Sequence, residues 1–579
     1  MMRHVFSCLI LCFLASLTYA SEEDMVVVTN SGPIRGKRLT TASGMVTAFL
    51  GIPYAEPPLG TLRFKKPLPH EPWSHILEAT NYGNSCYQES TERSSYPAEV
   101  YSEATLQLSE DCLFLNLWVP HPRPTTPIPV FVWIHGGGFV QGSGSLDRSV
   151  LAATENIIVA SMNYRLGSLG FLYLPPDAPG NAGLWDQQLA LSWLRENMAA
   201  FGGDPSRITI GGQSAGGASV GFHLLSPASQ PIFAQATVQS GATISPWAWV
   251  NPEEAKVRGR TLGQILDCTE EEEEEDDRAV VQCLQRKEPG TLVQKSSTMG
   301  QNVLFNFPFV PTTDGEFLPD DPQKLLEAGS FLAKPVLTGF TPDEGTIFLF
   351  ESPGFSLYNE SLISYKQLLE GLRLLLPEAP EIVIKAAALI YSGGEQGEAR
   401  YRDAMIRASG DYAFLCPVAS VANRMAEAGS PVFAYIFTHR PAFIVAPDWI
   451  GVPHCAELPY LFVSILSTLD GNATNSDEEE ILSQRVMQYW GQFIRTGSPD
   501  GGSGKEWPLY TGQNFFRIGT EQDQAEETSP TFYCDFWKLL ALGKSQCTTQ
   551  TQWLEDSFTG RMSENQRGYE EPPPPSFTA

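Results

Sequence analysis

Gly212-Gln213-Ser214-Ala215-Gly216 is a G-x-S-x-G pentapeptide set between a β-branched run, Ile208–Ile210, and an apolar stretch that continues through Leu225. The order is strand, sharp turn, helix. Glycines on both sides leave room for a turn too tight for Cβ atoms, so a serine at its apex can hold its hydroxyl exposed in a strained conformation. The helix that follows aims unpaired N–H groups at the same point, where they favour negative charge. The chemistry this spacing offers is nucleophilic attack by the Ser214 hydroxyl. The same pentapeptide also fits an ordinary glycine-rich turn, so its companions decide.

A serine hydroxyl needs a base to take its proton, and the base needs a carboxylate to fix its tautomer and stabilise its cation. The base is expected at His454, in Trp449-Ile450-Gly451-Val452-Pro453-His454, a loop beyond the late strand Val432–Thr438. His135, directly before Gly136-Gly137-Gly138, reads as a structural hydrogen-bonding residue, and His223, on the helix behind the serine, as a core histidine. The acid should follow a strand between serine and histidine. Thr341-Pro342-Asp343-Glu344-Gly345 offers two carboxylates there, Glu344 as first choice and Asp343 as fallback. An oxyanion site requires N–H donors aimed at charge that develops in the transition state. Gly137 and Gly138, after a strand, together with Ala215 after the serine, are the expected donors.

The elements that must position these residues alternate. Met25–Val28 and Val46–Phe49 read as a meander, followed by a proline-rich loop. Cys112–Trp118, Pro127–Ile134, Ile157–Asn163, Phe233–Gln239, Pro335–Phe340 and Val432–Thr438 read as strands, and Leu184–Ala200 and Asp477–Thr496 as helices. Strands interleaved with helices predict an α/β fold built on a large, mostly parallel sheet covered by helices. The polar segment between Cys86 and Cys112 is too hydrophilic for core and reads as a surface loop closed by a disulfide.

Met1–Ala20 has a basic start, an apolar run and small residues before Ser21, the pattern of a secretory signal peptide. The main domain is expected over residues 21–542, and 543–579 as a polar, Pro-rich, disordered tail. Of ten cysteines, removing Cys8 and Cys12 with the signal leaves eight, and an oxidising compartment would pair most of them. Asn359 and Asn472 stand in glycosylation sequons. These features predict a secreted, extracellular glycoprotein without a membrane span. The net charge of −28 argues against nucleic acid as a partner. No metal or cofactor is expected.

With these residues in place the chain resembles the type-B carboxylesterase and cholinesterase family of α/β hydrolases. The matching segments are Phe49-Leu50-Gly51-Ile52-Pro53-Tyr54-Ala55, Ser109-Glu110-Asp111-Cys112-Leu113-Phe114-Leu115-Asn116, Asp186-Gln187-Gln188-Leu189-Ala190-Leu191 and Ala199-Ala200-Phe201-Gly202-Gly203. The resemblance implies a triad of Ser214, Glu344 and His454 and an oxyanion hole of Gly137, Gly138 and Ala215. It also implies disulfides Cys86–Cys112, Cys268–Cys283 and Cys416–Cys534, leaving Cys455 as a buried free thiol and Cys547 available to join two chains in a homodimer. Trp247, Phe305 and Phe307 resemble the aromatic acyl pocket of cholinesterases, which would favour small acyl groups; core packing is the plainer role for such rings.

Three departures weaken a choline site. The Cys86–Cys112 loop holds no tryptophan, Tyr101 falling near the expected position. Gln213 stands where the family's pattern has glutamate, and Ile347 where it has an aromatic, although Phe348 remains. The stretch His454-Cys455-Ala456-Glu457-Leu458-Pro459-Tyr460 resembles carboxylesterases more. The leading expectation is a secreted serine esterase acting on small-molecule carboxylic esters. The alternatives are a choline ester hydrolase with an altered cation site, a lipase, and a non-enzymatic adhesion or scavenger relative.

Overall fold

The structure is a computed structural model that describes residues 25–89, 107–269, 276–300, 303–350, 352–394, 396–462, 477–500, 507–521, 524–526 and 531–546. Tyr101, Asn472, Cys547, the expected signal peptide 1–20 and all but the start of the expected tail 543–579 lie outside the described residues. Met1–Pro530 forms one compact unit and Thr531–Ala579 a second, whose described part holds the helix Cys534–Gln546.

An 11-stranded sheet organises the larger unit. Its strands in chain order are β1 (Lys37–Thr41), β2 (Gly44–Pro53), β3 (Phe114–His121), β4 (Ile128–Ile134), β5 (Ile158–Met162), β6 (Gly203–Gln213), β7 (Gln235–Gln239), β8 (Val336–Phe340), β9 (Val432–Phe437), β10 (Phe515–Ile518) and β11 (Gln524–Glu526). Across the sheet they run β11-β10-β9-β8-β7-β6-β4-β5-β3-β2-β1. From β5 to β10 every neighbouring pair is parallel. The pairs β5-β3, β3-β2, β2-β1 and β10-β11 are antiparallel. The central strands β5, β7, β8 and β9 are buried along their whole length. A strand covered on both faces needs no alternation, which is why Val432–Phe437 reads as one continuous apolar run.

The predicted strands and the two predicted helices are present, with ends shifted by a few residues. The N-terminal meander is different. Val26–Thr29 pairs with Gly32–Arg35 in a separate three-stranded sheet, while β2 pairs with β1 and β3 in the main one. Short β-branched runs give a strand's existence but not its partner, because pairing depends on where the chain turns.

Three helices matter for the site. α1 (Ala182–Asn197) covers the sheet, and α2 (Ala215–Leu225), every residue of which is buried, starts directly after β6. α3 (Asp477–Thr496) carries four acidic residues in its first turn and Arg495 in its last, matching the helix dipole. Its apolar stripe, Leu482, Val486, Trp490, Phe493 and Ile494, packs into the main core with Tyr435 and Phe433 of β9.

Candidate active site

Parallel strands share a direction, so the loops after them leave from one edge of the sheet. Gln213 at the end of β6 lies beside Gln239 of β7, Gln239 beside Gly339 of β8, Phe340 of β8 beside Ile436 of β9, and Gly212 beside Ile134 of β4. The segments that follow β4, β6, β8 and β9 are those carrying Gly136–Gly138, Ser214, Glu344 and His454. The register alone brings four distant stretches to one edge.

Ser214 joins β6 to α2 with φ 58° and ψ −125°, a conformation that L residues avoid. The strain is held by its surroundings. Its N–H donates to Gln239 O at 2.8 Å, and its carbonyl accepts from Ala218 N at 2.9 Å. A Cβ on Gly212 would come within 2.4 Å of Gly216, and one on Gly216 within 2.1 Å of Ile134 O, so only glycine fits beside the serine. The side chain of Ser214 is nearly buried at 8% exposure. Its hydroxyl makes no hydrogen bond among the described residues.

His454 and Glu344 are 3% and 1% exposed. His454 Nδ1 is paired with Glu344 Oε2. The other carboxylate oxygen accepts from Ser240 Oγ at 2.6 Å and from Thr341 N at 2.8 Å, which fixes the group's orientation. Asp343 does something else: its Oδ2 accepts from Val452 N at 2.8 Å, tying down the loop that leads to His454. Gly451, at φ 61°, makes room for it, since a Cβ there would lie 2.1 Å from that oxygen. Burial pushes the Asp343 carboxyl up to about 6.

Burial also pulls the His454 imidazole down, but Cys455 and Glu344 pull it the other way and win, leaving it well above the ordinary histidine value. The Cys455 thiol is itself pushed up by burial. It is therefore uncharged near neutral pH, and Glu344 is the partner that raises the ring there. Cys455 is in no disulfide among the described residues; the residue is partly covered, its backbone lies in the left-handed region at φ 72°, and its thiol hydrogen-bonds to His454.

Gly137 and Gly138 have φ of 107° and 62°. Among the described residues their N–H groups and that of Ala215 are donated to no protein acceptor. Phe307 packs on this loop so closely that a Cβ on Gly138 would meet its ring at 2.6 Å. Phe307 in turn meets Trp247 edge-on at 6.2 Å, and Trp247 Nε1 donates to Ala413 O at 2.9 Å. Phe305 lies 4.6 Å from Phe348, whose ring is 5.5 Å from that of His454. The described aromatic residues expected near the site thus form two contacting pairs, which one further ring joins into a wall.

The wall has a member that sequence reading missed. Phe414 stands 4.6 Å from His454, 5.4 Å from Phe348, 5.6 Å from Phe305 and 5.6 Å from Trp247. It sits in a π-helical turn, Asp411–Leu415, between two helices. Nothing in its local sequence points at His454; only the packing does. Glu457 was also missed. It is buried, pushed up to about 7 by burial and then by Glu344, and accepts from Gln239 Nε2 at 3.0 Å.

His135 and His223 are elsewhere occupied. His135 Nδ1 pairs with Gly136 O at 2.8 Å and its ring stacks on Tyr164. His223 contacts Ser229 Oγ at 2.8 Å and Gln187 Oε1 at 2.9 Å inside the core. Burial lowers them to about 4 and about 3, so both are neutral at physiological pH.

Cys86–Cys112 and Cys268–Cys283 are bonded with Cα atoms 5.0 and 5.5 Å apart. Cys416 is in a disulfide, and so is Cys534. Asn359 is exposed, and its side chain accepts from Ser361 N. Among the described residues no helix is long and apolar enough to cross a membrane.

A parallel-centred sheet with a positive-φ serine at a strand-to-helix turn, and a buried histidine–glutamate pair at the same edge, defines an α/β hydrolase. The model of the carboxylesterase family matches residues 23–537, and the chain belongs to that family. It is 42% identical to an acetylcholinesterase of Bungarus fasciatus over 92% of this chain and 89% of the relative. It is likewise 42% identical to a cholinesterase of Mus musculus over 90% of this chain and 87% of the relative. The protein is a carboxylic ester hydrolase of the serine esterase type, acting on small molecules.

Proposed function

We propose that the chain cleaves carboxylic esters with small acyl groups through an acyl-enzyme on Ser214. His454 takes the Ser214 proton as Oγ attacks the carbonyl carbon, and the resulting imidazolium returns it to the leaving alkoxide as the C–O bond breaks. Water then enters, gives a proton to the same ring as its oxygen attacks the acyl carbon, and the acid leaves as the Ser214 Oγ–acyl bond breaks and the imidazolium returns that proton to Oγ. Glu344 holds Nδ1 and stabilises the imidazolium. Gly137, Gly138 and Ala215 donate to the carbonyl oxygen as it becomes an anion.

The observation that carries this reading is the buried Glu344–His454 pair beside the strained turn bearing Ser214. Trp247, Phe305 and Phe307, joined by Phe414, are the rings that would shorten the acyl side. Phe348 lines the same wall, and Tyr101 belongs, by resemblance, to the side that takes the alcohol. The signal-peptide pattern, the disulfides and the exposed sequon at Asn359 support secretion, with Asn472 a second glycosylation site. Cys547 is the residue through which two chains would join, and the acidity of the chain disfavours nucleic acid.

The test compares the purified protein with Ser214→Ala on p-nitrophenyl acetate, butyrate and hexanoate. We expect a loss on the order of a thousandfold or more in the variant, and in the wild type a fall in kcat/KM from acetate to hexanoate. Equal rates in the two proteins would end the reading. Acetylthiocholine beside a neutral thioester of equal acyl length decides whether the choline esters named for the relatives are also substrates.

A further inference from the structure

The partner of His454 Nε2 in this structure is not Ser214. The side-chain amide nitrogen of Gln213 lies 3.0 Å from Nε2 and 3.5 Å from Nδ1. Gln213 is 3% exposed, and among the described residues its amide makes no other hydrogen bond. Nδ1 is already engaged by Glu344, so the shorter contact is the meaningful one. A neutral imidazole that donates Nδ1–H to a carboxylate has only a lone pair at Nε2, and the partner there must be a donor. The Gln213 N–H group supplies it.

That lone pair is the one that must receive the Ser214 proton. We propose that Gln213 is a positioning residue: its amide holds the resting imidazole in the Nδ1–H tautomer and must release Nε2 before Ser214 is deprotonated. The inference rests on the triad reading above and adds a competitor for the base. It also makes Gln213 a brake on protonation, because an N–H donor facing Nε2 favours the neutral ring and opposes the imidazolium. The titratable groups that face the ring are Glu344, Cys455 and Glu457. Phe348 and Phe414 cover its remaining sides. Gln213 is the amide among these contacts and carries no charge at any pH, whereas a carboxylate of the same shape would act in the opposite sense.

The experiment follows the titration of His454 by NMR in protein labelled with nitrogen-15 at histidine, its signal identified by loss in His454→Asn. Wild type, Gln213→Leu and Gln213→Glu are compared, with the acid limb of kcat/KM recorded beside them. Removing the donor in Gln213→Leu should raise the midpoint by about half a unit to one unit, the size of one hydrogen bond's net contribution. Gln213→Glu, with near-identical bulk, should raise it further, and the kinetic limb should move with the NMR midpoint. A midpoint that stays in place or falls in either variant overturns the proposal. The NMR midpoint is read without substrate. An unmoved midpoint with hydrolysis intact therefore sinks the role of Gln213 alone, whereas equal rates in wild type and Ser214→Ala would sink the triad reading and leave the titration standing.

Discussion

Two adjacent carboxylates, Asp343 and Glu344, divide between chemistry and support. Glu344 faces the imidazole, while Asp343 caps the backbone of the segment that delivers it. Glu344→Gln should lower kcat on the order of ten-thousandfold, because an amide can hold the ring in the wrong tautomer and no longer stabilises its cation. Asp343→Asn keeps an acceptor for Val452 N–H and should cost less than about tenfold, a single retained hydrogen bond being worth about 1 kcal/mol. The pH profile separates the two. Hydrolysis needs the neutral ring, and Glu344 raises its proton affinity, so the acid limb of kcat/KM should lie above the ordinary histidine value of 6.5. Losing the carboxylate should bring that limb down. A limb at or below 6.5 in the wild type would mean that this pairing does not govern the base.

At the scale of elements, the π-helical turn Asp411–Leu415 is what brings Phe414 to the site, and its first residue carries a cost. Asp411 is buried and accepts from Tyr391 Oη at 2.7 Å, yet burial outweighs this bond and the charge of Arg407, pushing its carboxyl up to about 7. The sign follows by linkage. Between its ordinary 3.8 and about 7 the folded chain holds a proton that the unfolded chain has released, so this group's contribution to stability falls as pH rises through that window. Asp411→Asn can still accept from Tyr391 and has nothing to ionise. It should be more stable than wild type at pH 8, by up to a few kcal/mol, since each tenfold change in proton affinity is worth about 1.4 kcal/mol. At pH 5 the difference should be much smaller. Denaturant midpoints at the two pH values check this, and an equal difference at both would refute it.

Over the whole molecule, a net charge of −28 creates a field that attracts cations and repels anions over distances set by salt. Screening lengths shrink from about 30 Å at 0.01 M to about 3 Å at 1 M. If this field reaches the site, kcat/KM for a cationic ester should fall several-fold across that range, while a neutral ester of equal acyl length changes little. Stopped-flow or steady-state rates at a series of salt concentrations decide it; parallel curves for the two esters would show that the acidic surface lies elsewhere.

Much of this protein was legible before folding because its signals are local. Ser214 announces itself through flanking glycines, since the turn tolerates no side chain there. The strands that precede Gly136, Ser214, Glu344 and His454 are apolar runs bounded by turn residues. Glu344 was the first choice of acid and the resemblance implied its partners, but no local signal shows who faces whom. The supporting role of Asp343, the arrival of Phe414 from a distant helical turn, the separate pairing of Val26–Thr29, and the engagement of Nε2 by Gln213 all depend on register and packing. Those are properties of contacts between segments far apart in sequence, and no periodicity within a single segment encodes them.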